Sequence, residues 1–219
     1  MTDNKTLAVS GQHYLFDVQA FAHAVLTAGG ESYNYALRDR TTRGVLNDVA
    51  TGASALGVIV QTTATSATIE EALESKGLTF TELITSKPCV ALSTSHPLVN
   101  AKSLTLEDLT DYPYIYFEQE EDAPTAFAEE ALADFPRSRR VAATDRASLS
   151  ELIAALNGYT VTSGILVGVS DGTLLQTVPL ESNVTLRLGY VMREGAVLDG
   201  AARLFVDALS RNLERYARL

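Results

Sequence analysis

The chain has 219 residues, enough for one or two small domains, each with its own core. With 46% hydrophobic and 20% charged residues it reads as an ordinary globular protein, which excludes a disordered or fibrous chain. Acidic side chains number 27 against 17 basic ones, and the resulting net charge of −10 repels phosphate backbones and argues against direct nucleic-acid contact by this chain. One cysteine, Cys89, excludes an internal disulfide framework and suits a reducing compartment. No apolar run is long enough to span a bilayer and no secretory signal opens the sequence, so the expected address is the cytoplasm, without membrane contact.

Strand and helix signals alternate from the start. An apolar run at 6–10 is followed by helical spacing at Leu15, Val18, Ala22, Val25 and Leu26, stopped by Gly29 and Gly30. Tyr33, Tyr35 and Leu37 share one face of the next strand. Thr41 or Thr42 can cap a second helix carrying Val45, Leu46 and Val49 to Gly52. Residues 55–60 form a continuous apolar strand of the kind covered on both faces. This β-α-β-α-β order predicts a parallel sheet with right-handed crossovers.

The polar stretch 61–67 is the first expected crossing between lobes, and 70–76 suits a short acidic helix. Residues 83–93 read as one strand, followed by a turn at Ser95-His96-Pro97-Leu98. Ser103 is placed to cap a helix through Leu104, Leu106 and Leu109, ended by Asp111 and Pro113, before a strand to Phe117. An acidic loop at 118–123 leads to a helix opened by Pro124, and 134–140 is a basic, proline-broken turn. A strand at 141–144 precedes a helix whose capping box is Ser148 and Glu151, closed by Asn157-Gly158. Residues 159–162 form a strand and Ser163-Gly164 the second expected crossing. Strands at 174–180 and 185–192 lead to a final amphipathic helix with Leu198, Ala202, Phe205, Leu209 and Leu213 inward, and Arg211, Glu214 and Arg218 outward.

The strand, Ser95-His96-Pro97-Leu98 turn, leucine-rich segment and second strand within 80–117 resemble the middle of the effector-binding domain of LysR-type transcriptional regulators. Arg40-Thr41-Thr42 with the following helix and apolar strand is similar to that family's second helix and third strand, and 177–195 to its closing segment. The resemblance implies an α/β, two-lobed, type II periplasmic-binding-protein-like fold. Each lobe is then a mixed sheet flanked by helices, with two crossover strands. Residues 1–62 plus 165–219 make lobe I, and 63–164 the inserted lobe II. It further implies a small-molecule effector in the interlobe cleft, a homodimer, and DNA reached only through a winged helix-turn-helix outside this chain.

In open α/β sheets ligands gather beyond the carboxyl ends of strands, near helix N-termini. That rule selects Gln12, His13 and Tyr14 after the first strand, Arg40, Thr41 and Thr42 after the second, and Gln61 and Thr62 after the third. Glu118, Gln119, Thr144, Thr162 and Ser163 could face the same cleft from the other lobe. Hydroxyls, amides and one or two cations suit a small carboxylate. His23 and His96 read as structural, and Thr41 or Thr42 serves equally as a helix cap. No nucleophile elbow, phosphate loop or metal-ligand spacing is visible, so no catalytic residue, cofactor or metal is expected. Two alternatives share the fold: a solute-binding protein, and an enzyme of the prephenate dehydratase kind. For the second, Thr42-Arg43-Gly44 lacks the expected aromatic residue.

Overall fold

The computed structural model describes residues 5–29, 31–165, 174–198 and 200–216. Gly30 and Arg218, to which a helix stop and an outward position were assigned, lie outside the described residues. Two five-stranded mixed sheets are present. The first has the order β2-β1-β3-β10-β4, from β1 (Lys5–Gly11), β2 (Tyr33–Asp39), β3 (Leu56–Thr62), β4 (Leu78–Ser86) and β10 (Leu186–Arg193). The second has the order β7-β6-β8-β5-β9, from β5 (Cys89–Ser93), β6 (Tyr114–Phe117), β7 (Arg140–Ala143), β8 (Tyr159–Thr162) and β9 (Leu175–Pro179). As expected, β1, β2 and β3 are parallel, and every residue of β3 is buried.

The chain changes sheet at different places from those expected. After β3, Thr62 and Thr65 form a hydroxyl-closed turn into α3 (Ser66–Glu74), which returns the chain to the first sheet, where β4 pairs antiparallel with β10. The single strand expected over 83–93 is therefore two strands, broken at Lys87 and Pro88. Proline lacks the N–H a continuing ladder needs, so the break falls where the chain crosses. Likewise β9 pairs with β5 in the second sheet, and the return crossing follows Pro179, not Ser163-Gly164.

Helices α1 (Phe16–Ala28) and α5 (Gly200–Tyr216) pack together on one side of the first sheet. The inward face of α1 is Phe16, Ala20 and Ala24, whereas the expected stripe points outward, with Leu26 86% exposed. Alanines let α5 approach closely, and that geometry overrides the larger side chains' periodicity. Helix α2 (Thr42–Thr51) lies on the opposite side with α3, burying Val45, Leu46, Val49, Ile69 and Leu73 against Ile59 and Val191. Thr41 caps α2 by accepting from Gly44 N–H, and Gly52 ends it at φ 78°.

Helix α4 (Arg146–Leu156) covers the second sheet through Leu149 and Ile153. Its cap is Asp145, accepting from Ser148 N–H at 2.9 Å, so the helix begins a few residues before the expected capping box. Two expected helices are single 3-10 turns. At Glu107–Leu109, Thr105 and Asp108 bond each other's backbone reciprocally, while Ser103 turns away to Glu181. At Thr125–Phe127, the chain after Pro124 spends its side chains on contacts with the first sheet's helices. The Ser95–Leu98 turn is structural as expected: His96 Nδ1 accepts from Leu98 N–H at 3.1 Å and the ring rests on Tyr112.

Candidate functional site

The loop after β1 sets the site. Gln12 is buried, its Oε1 accepting from Val60 N–H at 2.7 Å and its Nε2 donating to Thr42 Oγ1 at 2.5 Å. The α2 N-terminus, expected to face an open cleft, is covered by the segment between β6 and β7. Thr42 Oγ1 donates to the Phe127 carbonyl at 2.7 Å, and Thr41 Oγ1 to Glu120 at 2.6 Å. Arg43 pairs with Asp122 at 2.6 Å. Phe127 itself is buried in the α2–α3 cluster. A strap from the second sheet thus supplies acceptors to the donors that this helix N-terminus would otherwise offer to a ligand.

Beside this strap, His13 meets Glu129. The carboxylate accepts from His13 N–H at 2.8 Å, lies 2.8 Å from its Nδ1, and receives Gln119 Nε2 at 3.3 Å. The imidazole stacks on Phe117, with ring centroids 4.2 Å apart. Burial alone would lower the His13 pKa, but the hydrogen bond and charge of Glu129, with Asp39 behind, outweigh it and raise it. Tyr14 donates its hydroxyl to the Glu129 carbonyl at 2.9 Å. Arg146, at the start of α4, bonds the Tyr14 carbonyl at 3.0 Å and both carboxylate oxygens of Asp39. Arg146 Nη1 lies 3.9 Å from the buried Asp17, whose pKa burial pushes up to about 7, the Arg146 charge opposing it.

These pairs frame a cavity of about 500 Å³ between the two sheets. Its walls are mostly apolar: Leu15, Ala91, Phe117, Leu149, Val161, Ile165, Leu174 and Leu175. Its polar side chains include His13, Glu129, Glu130, Arg146 and Thr160. Glu130 Oε1 accepts from Phe117 N–H at 2.7 Å, while its Oε2 and the Thr160 hydroxyl are buried without a partner. Burial, reinforced by the neighbouring Glu129 charge, pushes the Glu130 pKa up to about 8. An apolar chamber with a few convergent polar groups is the usual form of a small-molecule site.

Of the residues expected from sequence, His13, Tyr14 and Thr162 line this cavity. Gln12, Thr41, Thr42 and Gln119 belong to the strap contacts beside it. Gln61 is buried with neither amide atom partnered, and Thr62 closes the turn into α3. Ser163 is buried and accepts from Ile165 N–H. Arg40 pairs with Asp48 at 3.2 Å near the surface, and Glu118 and Thr144 are exposed. The sequence reading missed Phe117, Glu129, Glu130, Arg146 and Thr160. Adjacent acids in the otherwise apolar run 126–133 were the available signal.

Residues 37–214 match the family model described as the LysR substrate binding domain. The chain belongs to this family. No curated protein matches the sequence. Among solved structures, this LysR domain is similar to oxidized OxyR of Corynebacterium glutamicum, at 15% identity over 98% of this chain and 66% of that one, TM-score 0.62. It is similar also to HinK, a LysR family transcriptional regulator from Pseudomonas aeruginosa (16% identity, 96% and 71% coverage, TM-score 0.64). A third is the effector binding domain of QuiR in complex with shikimate (11% identity, 98% and 99% coverage, TM-score 0.65). At these identities the likeness is one of fold, the two-lobed type II periplasmic-binding-protein-like arrangement. The chain spans slightly less than two thirds of the length of the OxyR chain. Among its described residues, no helix is long and apolar enough to cross a membrane.

Proposed function

We propose that this LysR domain binds a small effector in the cavity between its two sheets and passes the binding event to a homodimer. The carrying observation is that the cavity walls come from both sheets, with His13 and Tyr14 on one side and Phe117, Arg146 and Thr160 on the other. A ligand touching both has different affinity for open and closed arrangements, and that difference is what shifts a two-state equilibrium. The shikimate held by the QuiR domain supports a small metabolite as the ligand class. Arg146 is already paired with Asp39 and His13 is held by Glu129, which moves the expected ligand away from a carboxylate and towards a largely apolar molecule.

The outward stripe of α1 supports the homodimer. Leu26, Val18 and Tyr33 expose 86%, 37% and 52% of their surface. In this reading the protein works in the cytoplasm, and DNA is contacted through a helix-turn-helix domain, since the acidic surface of this chain disfavours phosphate. A thermal-shift screen against a metabolite panel tests the site, run beside Ala147→Trp, which fills the cavity from an exposed position on α4. A metabolite that stabilises the wild type should fail to stabilise the variant. Equal shifts in both proteins would place the ligand elsewhere.

A further inference from the structure

Carboxyl groups in the cavity wall outnumber the basic groups. His13 is matched with Glu129, and Arg146 with Asp39. Glu130 and Glu151 remain in the wall, and neither has an ion-pair partner among the described residues. Glu130 is the one that is buried, 5% exposed, with Oε2 unpartnered. Phe117 N–H bonds Oε1, Glu129 adds like charge, and the tyrosines at 14 and 114 feel its charge. Arg137, whose charge opposes the upward shift of the Glu130 pKa, donates to Tyr159 Oη and the Leu132 and Phe135 carbonyls and lies over the Tyr114 ring; its Nη2 is buried without a hydrogen-bond partner, and it makes no ion pair with Glu130.

A buried acid beside a fixed carboxylate, in a chamber whose basic groups are already engaged, offers carboxyl oxygens and no free cation to whatever enters. An anionic ligand would meet Glu129 and Glu130, with His13 already held by Glu129 and Arg146 by Asp39. An uncharged one would leave Glu130 a neutral acid and gain no ion pair from it. Resting on the reading of this cavity as the effector site, we propose that its ligand is a small amine with an apolar or aromatic body, the ammonium pairing with the Glu130 carboxylate. The body lies against Phe117, Ile165 and Leu175, and the Thr160 hydroxyl offers a further acceptor.

Glu130 has its pKa at about 8, so at neutral pH the empty site holds a carboxylic acid. Binding then converts the acid and the incoming ammonium into a carboxylate–ammonium pair, and the released proton goes to the buffer. Proton release linked to binding separates this arrangement from a merely structural Glu130.

The test is calorimetry with three near-isosteric probes, 2-phenylethylamine, 2-phenylethanol and phenylacetate, titrated into the full chain at pH 7 in buffers of different ionisation enthalpy. The amine should bind about tenfold or more tightly than the alcohol, as a charge-assisted pair does, with phenylacetate weakest. Amine binding should release roughly one proton at pH 7, falling to about none near pH 9, where Glu130 is already ionised. Glu130→Gln, nearly isosteric with the protonated acid, should equalise amine and alcohol and abolish proton release, its folding checked by thermal melting. Preference for phenylacetate or the alcohol, or an amine affinity unchanged in Glu130→Gln, overturns the amine and leaves the cavity as the effector site. Binding of none of the three overturns both.

Discussion

Replacing Glu130 by glutamine should change how stability depends on pH, and in a defined direction. The native carboxyl has its pKa raised from 4.5 to about 8. A raised acid pKa means the native state keeps a proton that the unfolded chain releases. Its contribution is complete below about pH 4.5 and is lost progressively as pH climbs towards 8. One proton corresponds to about 1.4 kcal/mol per pH unit, so the loss across that window is on the order of 3–5 kcal/mol. The carboxamide introduced by Glu130→Gln cannot titrate, yet its oxygen can still accept from Phe117 N–H. Urea unfolding of the ligand-free protein at half-unit steps from pH 4.5 to 8.5 measures the effect. The variant should be close to wild type at the acid end and more stable by several kcal/mol at the alkaline end. Asp17 and His13 also have raised pKa values and lose stability in the same direction, but both persist in the variant and cancel in the difference. A wild-type-minus-variant difference that stays flat with pH would refute a buried, protonated Glu130.

Phe127→Ala removes the ring that holds the strap in the α2–α3 cluster, and should raise amide exchange over 119–130 and at the start of α2 while β3 stays protected. Unchanged exchange there would show that the polar contacts alone hold the strap. Gly57→Ala would bring a Cβ to 2.4 Å from Val45 Cγ1 and 3.1 Å from Val49 Cγ2, forcing α2 off β3. It should cost about 1–3 kcal/mol in urea unfolding, and a neutral result would show α2 to be loosely seated. Leu26→Glu, on the exposed stripe of α1, should leave the thermal midpoint nearly unchanged but convert a dimer to a monomer in light scattering. A wild type that is already monomeric at micromolar concentration would contradict the dimer.

The elements easiest to read from sequence were those whose local signals agree with their surroundings. The apolar run 55–60 had to be a strand buried on both faces, and Thr41 with Gly52 bracketed α2 because a hydroxyl cap and a left-handed stop act locally. What failed depended on partners far along the chain. The outward face of α1 looked like a core stripe because Leu and Val outweigh Ala in any periodicity, whereas close packing on α5 favours Ala20 and Ala24. Lys87 and Pro88 were hidden inside a continuous β-rich run, so the crossing was expected at 61–67, well before the place where the chain makes it.

The site was legible only in part for the same reason. The loop after β1 could be found by topology, and His13 and Tyr14 do line the cavity. No local pattern announces that residues 118–131 leave the second sheet to cover α2, since Pro124 and the alternating small and acidic residues also fit a helix. Glu129 and Glu130 fall within that expected helix, where nothing local marks them as site residues. Only the fold shows one of them matched by His13 and the other buried without a match.

The central claim, that the effector sits between the sheets, is tested most directly by a crystal structure of the chain with a stabilising metabolite from the thermal-shift screen. The account predicts ligand density against Phe117 and Glu130, with the strap still bonded to Thr42. Density at the α2 N-terminus with the strap displaced, or outside the interlobe cavity altogether, would contradict it.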